Sequence, residues 1–341
     1  MSRQDRTTPS TAVSNWRGRH DTPKAWPSTA VSTWLNGGLF GAAAGGGFAY
    51  VLGTGQNASY AYLDFIDKFA YADDTRSTLS ATMDDGFKDS SSMGNPSSAA
   101  YCTGGENATV GLTDETNKIA FADDTHSMLT STLSTGFYGG SCLSNAGVKG
   151  YYCGGNKYPI VSTIQLLTFS TEAWSTSGTS LNYAPLTGGS FNNNAVAGYV
   201  LGTYTGSTSQ IDKVLFSNDS VSTLSATLSP AGGYVSGGMG DAGVAGYVKN
   251  YGSPYTTIQK ITFATDAHSA LSATATKSKY QPQTSATGTA GYFIGGKTDA
   301  TNASAVVERL EFPAETVSTI SAVLSAGTSR ASAATNELAL A

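Results

Sequence analysis

Gly198-Tyr199-Val200-Leu201-Gly202 sets an aromatic and two apolar residues between glycines, and Gly291-Tyr292-Phe293-Ile294-Gly295 repeats the pattern further along the chain. Aromatic and β-branched residues suit a pleated, half-buried surface, and a flanking glycine suits a bulge or a close backbone approach. The stretch therefore reads as a β-strand. Its tyrosine recurs at Tyr50, Tyr101, Tyr151, Tyr199, Tyr247 and Tyr292, so repeats start near residues 49, 100, 150, 198, 246 and 291. Spacings of 45 to 51 residues between strand-rich units lie in the range of propeller blades. The glycine three places after the tyrosine is Gly53, Gly104, Gly154, Gly202 or Gly295, with Asn250 in the fifth repeat. Asparagine is the next residue to tolerate positive φ, so this position reads as a backbone requirement.

Outward from the tyrosine, a basic and apolar strand such as Ile211-Asp212-Lys213-Val214-Leu215-Phe216 closes on an aromatic at Tyr71, Phe121, Phe169, Phe216, Phe263 and Phe312. Val214 with Phe216, and Ile261 with Phe263, share one face at period two. Three residues later stands an acid, Asp74, Asp124, Glu172, Asp219, Asp266 or Glu315, and three further a serine, as in a turn capped by a short side-chain oxygen. A last strand then alternates, as in Leu79-Ser80-Ala81-Thr82-Met83. From tyrosine to closing aromatic the distance varies from 16 to 21 residues, whereas from that aromatic to the next tyrosine it is 29 to 31. The variable connection marks one rim of loops as free to differ, and a binding face is expected there.

The runs Tyr151 to Gly155 with Phe169 and Glu172, and Tyr101 to Gly105 with Phe121 and Asp124, resemble the kelch-type β-propeller repeat. The resemblance covers about residues 49 to 341. Thr78, Met128, Thr176, Thr223, Ala270 and Thr319 stand where that family usually carries tryptophan after the acidic turn. The resemblance implies a kelch-like β-propeller; with six repeats the expected fold is all-β, a six-bladed kelch-like β-propeller over residues 37–341 with an extended N-terminal arm over residues 1–36. Either the tail Ser329 to Asn336 or the segment Leu39 to Gly47 is expected to close the ring by adding a strand to the first blade. The glycine-, serine- and threonine-rich repeats also resemble those of bacteriophage tail, fibre and capsid-surface proteins.

The arm is different material. It contains Trp16, Trp26 and Trp34, three of the four tryptophans, and five basic against two acidic residues in a chain of net charge −5. Pro9-Ser10-Thr11-Ala12-Val13-Ser14-Asn15-Trp16 recurs as Pro27-Ser28-Thr29-Ala30-Val31-Ser32-Thr33-Trp34. A basic, tryptophan-bearing segment too short for its own core reads as an arm that orders on a partner, with Trp16, Trp26, Trp34, Val13 and Val31 as docking residues. It has no apolar core, so it reads as neither a secretion signal nor a membrane span.

Catalytic signals are sparse. His126 and His268 occupy equal repeat positions and read as turn decorations, and Cys102, Cys142 and Cys153 as buried free thiols. Asp84-Asp85-Gly86-Phe87-Lys88-Asp89 faintly suggests calcium, but its spacing matches no standard loop. No zinc-like spacing or phosphate loop occurs, and no metal or cofactor is expected. The acidic propeller makes nucleic acid an unexpected partner. Tyr60, Tyr62, Tyr158, Tyr204, Tyr251 and Tyr255 lie in the variable loops and could stack on a ligand. The expected function is a non-enzymatic structural component of a viral particle, assembled in the host cytoplasm and present in multiple copies. Its arm would dock on other virion proteins while the propeller makes connections or binds a host receptor. The alternative is a propeller that binds, or less readily cleaves, a host-surface glycan.

Overall fold

The structure, a computed structural model of the 341-residue chain, describes residues 47–52, 62–96, 98–107, 109–203, 208–229, 237–241, 243–249, 256–275, 282–297, 303–328 and 332–335. They form a six-bladed β-propeller of antiparallel sheets. Blade 4 shows the plan: Gly189–Asn193 is innermost, followed outward by Ala197–Thr203, Thr208–Leu215 and Ser220–Thr223. The other innermost strands are Ser91–Asn95, Ser141–Asn145, Gly238–Asp241, Gln283–Ala286 and Ser332–Thr335. Ser332–Thr335 pairs with Phe48–Leu52, from Ala49 opposite Thr335 to Leu52 opposite Ser332, so the C-terminal tail closes blade 1. Closure by Leu39 to Gly47 is thereby excluded, because its slot is filled; residues 39–46 lie outside the described residues.

The two aromatics of each repeat meet across blade boundaries. Tyr50 stacks on Phe121, Tyr101 on Phe169, Tyr151 on Phe216, Tyr199 on Phe263, Tyr247 on Phe312 and Tyr292 on Tyr71, with centroids 5.1 to 5.4 Å apart. This stacking carries each phenol to the acid three residues beyond the partner ring. Tyr50 donates to Asp124 at 2.7 Å, Tyr101 to Glu172 at 2.9 Å, Tyr151 to Asp219 at 2.7 Å and Tyr199 to Asp266 at 2.7 Å. Tyr247 donates to Glu315 at 3.1 Å, and Tyr292 closes the ring on Asp74 at 3.0 Å.

The acids do sit in turns, all with φ between 51° and 58°. Their side chains, however, leave the turn for the neighbouring blade, which corrects the turn-capping expectation. Capping falls to the preceding residue: Asp73 accepts from the Thr75 amide, Asp123 from Thr125 and Asn218 from Ser220. Each acid also binds a base from the tyrosine's own blade: Lys68–Asp124, Lys118–Glu172, Lys213–Asp266, Lys260–Glu315 and Arg309–Asp74. The third blade lacks the base at that register, where Leu166 lies opposite Tyr151. Lys149, two residues before the tyrosine, binds the same acid, Asp219, at 2.6 Å instead. These ion pairs are partly solvated and contribute about 1 kcal/mol at most, whereas a hydrogen bond to a charged acceptor is worth about 1.5–3 kcal/mol. The phenol bond is therefore the stronger half of each link.

A second set of links runs from buried acceptors one residue before the base position. Asp67, Asn117, Gln165, Asp212, Gln259 and Glu308 are all buried there. Asp212 accepts from the Asn182 amide at 2.7 Å, Gln165 from Ser134 at 2.7 Å, Gln259 from Ser229 at 2.8 Å and Asp67 from Ser325 at 2.8 Å. Asn182, Ser134 and Ser229 belong to the outgoing connection of the preceding blade, and Ser325 to its outermost strand, Thr316–Thr328.

Packing near the axis explains the glycine before the tyrosine. A Cβ at Gly150, Gly198, Gly246 or Gly291 would strike Met93, Leu143, Phe191 or Met239 from the previous blade's innermost strand. Where that strand carries only Ser285 or Ala334, the corresponding residues are Ala49 and Ala100. Large knobs thus face glycine and small ones face alanine. Gly104, Gly154, Gly202 and Gly295 have φ of 62° to 70°, as the repeat requires, while Gly53 and Asn250 lie outside the described residues.

Lys149→Ala is expected to lower stability by about 1 kcal/mol. Adding Leu166→Lys, which restores the register used by other blades, is expected to recover most of that loss in urea unfolding.

Candidate functional site: the loop face around the central channel

Six innermost strands converge on a central cavity of about 280 Å³. Each presents an unpaired edge to it, and such edges need hydrogen-bond partners. Short hydroxyls supply them without filling the channel. Ser92 donates to the Ala333 carbonyl at 2.6 Å, Ser190 to Cys142 at 2.8 Å and Thr284 to Gly238 at 2.9 Å. Glycine, serine and threonine are abundant here because six strands must approach one axis.

The ring has two unlike faces. One holds the acid turns and the hairpins between innermost and second strands. The other, the loop face, holds the variable connections and the entry to each innermost strand. Asp89, Ser90, Gly139, Gly140, Thr187, Gly188, Pro282 and Gln283 rim the cavity on the loop side. Asp89 is the single charged residue among the described lining.

Blade 3 carries an exposed tyrosine on this face, beside the half-buried Tyr138 of the connection that leads into the blade. Tyr158 is 74% exposed, and its ring lies 6.1 Å from that of Tyr138, tilted by 49°. Its backbone is left-handed, with φ 54°, and its amide donates to Asn156 Oδ1 at 2.7 Å. Asn156 is buried, exchanges backbone hydrogen bonds with Tyr138 and donates through Nδ2 to the Tyr138 phenol at 2.7 Å. Lys157 Nζ sits over the Phe137 ring at 5.8 Å. Burial, together with a hydrogen bond to Tyr158, lifts the Tyr138 phenol above its ordinary pKa.

The other tyrosines expected in the loops fare differently. Tyr62 is half-buried: its ring lies 5.5 Å from Lys88 Nζ, and its phenol donates to Glu106, itself paired with Lys88 at 2.9 Å. It packs between neighbouring segments and is not free to stack on a ligand. Tyr60, Tyr204, Tyr251 and Tyr255 lie outside the described residues, as do the arm residues Trp16, Trp26, Trp34, Val13 and Val31. Sequence reasoning missed Tyr138, which lies in the connection of nearly constant length rather than in a variable loop. The Phe137-Tyr138 aromatic doublet was its only signal.

Other chemistry-bearing groups are engaged in the framework. His126 and His268 are not turn residues but lie on outer strands, where their Nε2–H groups donate to buried Asn117 and Gln259 at 2.7 Å. Burial lowers both imidazole pKa values, with Asp84 partly offsetting the shift at His126. Asp84 and Asp85 lie within the strand Thr75–Lys88, where Asp85 accepts from Asn107, and no metal-binding cluster occurs among the described residues. Cys102, Cys142 and Cys153 are free thiols, Cys142 being the less buried. No described helix is long and apolar enough to cross a membrane.

Compared with protein-family models and with curated proteins, the chain matches neither. The propeller therefore rests on its own geometry.

A histidine whose folded pKa is depressed favours folding above the unfolded value, about 6.5, and loses that contribution as pH falls through the folded pKa. Wild-type stability is thus expected to drop below about pH 6.5 more steeply than that of His268→Gln, measured by urea unfolding across that range.

Proposed function

We propose that this protein is a non-catalytic structural component of a larger particle, anchored by residues 1–36 and presenting the propeller's loop face outward. The observation that carries this reading is the polarity of the ring. Gly47, where the described propeller begins, accepts from the Tyr71 amide at 3.1 Å, and Thr335, where it ends, accepts from the Tyr71 phenol at 3.0 Å. Both ends therefore lie on the turn face, opposite Tyr138 and Tyr158. A chain held from its N-terminal side would leave the loop face free to meet other molecules.

The duplicated Pro-Ser-Thr-Ala-Val-Ser-x-Trp motif supports anchoring at two equivalent positions, as in a multi-copy assembly. Tryptophan is among the residues most often found to dominate interface energetics. The repeat's kelch-like character and its resemblance to phage tail, fibre and capsid-surface proteins make a virion appendage the assembly favoured here. The commitment of the recurring tyrosines, acids and bases to inter-blade links supports a scaffold over an enzyme.

The double variant Trp16→Ala/Trp34→Ala is expected to lose incorporation into the particle while keeping the wild-type melting temperature. Normal incorporation of the folded variant would remove the anchoring reading.

A further inference from the structure

We propose that the Tyr138–Tyr158 pair at the loop-side mouth of the channel is a binding site for a neutral saccharide. Burial does not account for the place of Tyr158, whose ring meets Tyr138 but stands largely in solvent. A large ring at 74% exposure forfeits burial, and its left-handed backbone is uncommon for a non-glycine residue. Yet the turn is fixed firmly, through its amide on Asn156 Oδ1 and through Asn156 on Tyr138. A rigidly displayed aromatic face is what stacking recognition requires, because little conformational entropy remains to be lost on binding.

The pair's place relative to the channel follows from its chain neighbour. Tyr138 immediately precedes Gly139, a cavity-lining residue whose amide donates to the Asp89 carbonyl at 2.8 Å.

The chemistry of the surroundings selects the ligand class. A peptide anchor needs a desolvated apolar pocket, whereas the tyrosine pair stands beside Asn156 and Lys157 and, through Gly139, beside Asp89. A sugar offers an apolar C–H face for the ring and a fringe of hydroxyls for the polar groups. One acid and one lysine leave no net charge to favour an ionic sugar. The inference does not depend on the anchoring reading, since the site is complete within one propeller.

The test is an array of immobilised neutral oligosaccharides, built from hexoses and N-acetylhexosamines, probed with the purified full chain in the absence of any particle. Saturation-transfer NMR on the free form of any bound sugar then gives its affinity. Binding is expected, weakened roughly tenfold or more by Tyr158→Ala and retained by Tyr158→Trp. Tyr158→Ala should leave the melting temperature unchanged, because the ring is exposed. Absence of any neutral saccharide ligand would overturn the proposal, as would binding confined to acidic sugars or peptides, or affinity unaltered by Tyr158→Ala.

Discussion

A phenol donating to a carboxylate across each blade boundary is the interaction on which the ring depends. Neighbouring blades share few backbone bonds, such as the Phe87–Asn107 pairing of blades 1 and 2 and the Gly139 amide on the Asp89 carbonyl, so much of the cohesion between them must come from side chains. Stacking of tyrosine on the next blade's aromatic buries apolar area, and the phenol bond fixes its angle. Burial of the phenol, reinforced by the neighbouring acid's hydrogen bond and charge, raises the tyrosine pKa strongly, as at Tyr50 and Tyr199. The neutral, donating form is thereby kept throughout the ordinary pH range. Blade 3 shows how firmly this link is maintained: the base moves from the Leu166 position to Lys149, yet still reaches the acid that Tyr151 binds.

Convergence on the axis sets the rest of the composition. Innermost strands carry small residues towards the channel and one knob towards the next blade, and the glycine or alanine before each tyrosine is sized to that knob. Hydroxyls satisfy the open strand edges that small residues leave behind. The framework thus uses most of its polar groups internally. What varies lies on the loop face, where the 156–160 turn displays Tyr158.

Much of this was legible in the chain. Strand periodicity and recurrent spacing identified the blades, the buried tyrosines and the positive-φ glycines, because those are local demands of the backbone. The destination of the turn acids was not legible, since Tyr50 and Asp124 are 74 residues apart and local pattern reports burial but not the partner. The buried acceptors such as Asp212 were hidden for the same reason, each being needed by an amide in another blade. Two candidate segments competed for ring closure, and only strand pairing decided for Ser332–Thr335. Loop length pointed to Tyr158 but also to Tyr62, whose involvement with Lys88 and Glu106 depends on tertiary placement.

The most direct test of the inter-blade link is a double-mutant cycle on Tyr199→Phe and Asp266→Asn, read by equilibrium unfolding in urea. The account predicts a coupling energy of about 1–3 kcal/mol, since the phenol and the carboxylate act on each other across the interface of blades 4 and 5. Additive effects, within about 0.5 kcal/mol, would show that the phenol and the carboxylate do not couple the blades and would contradict it.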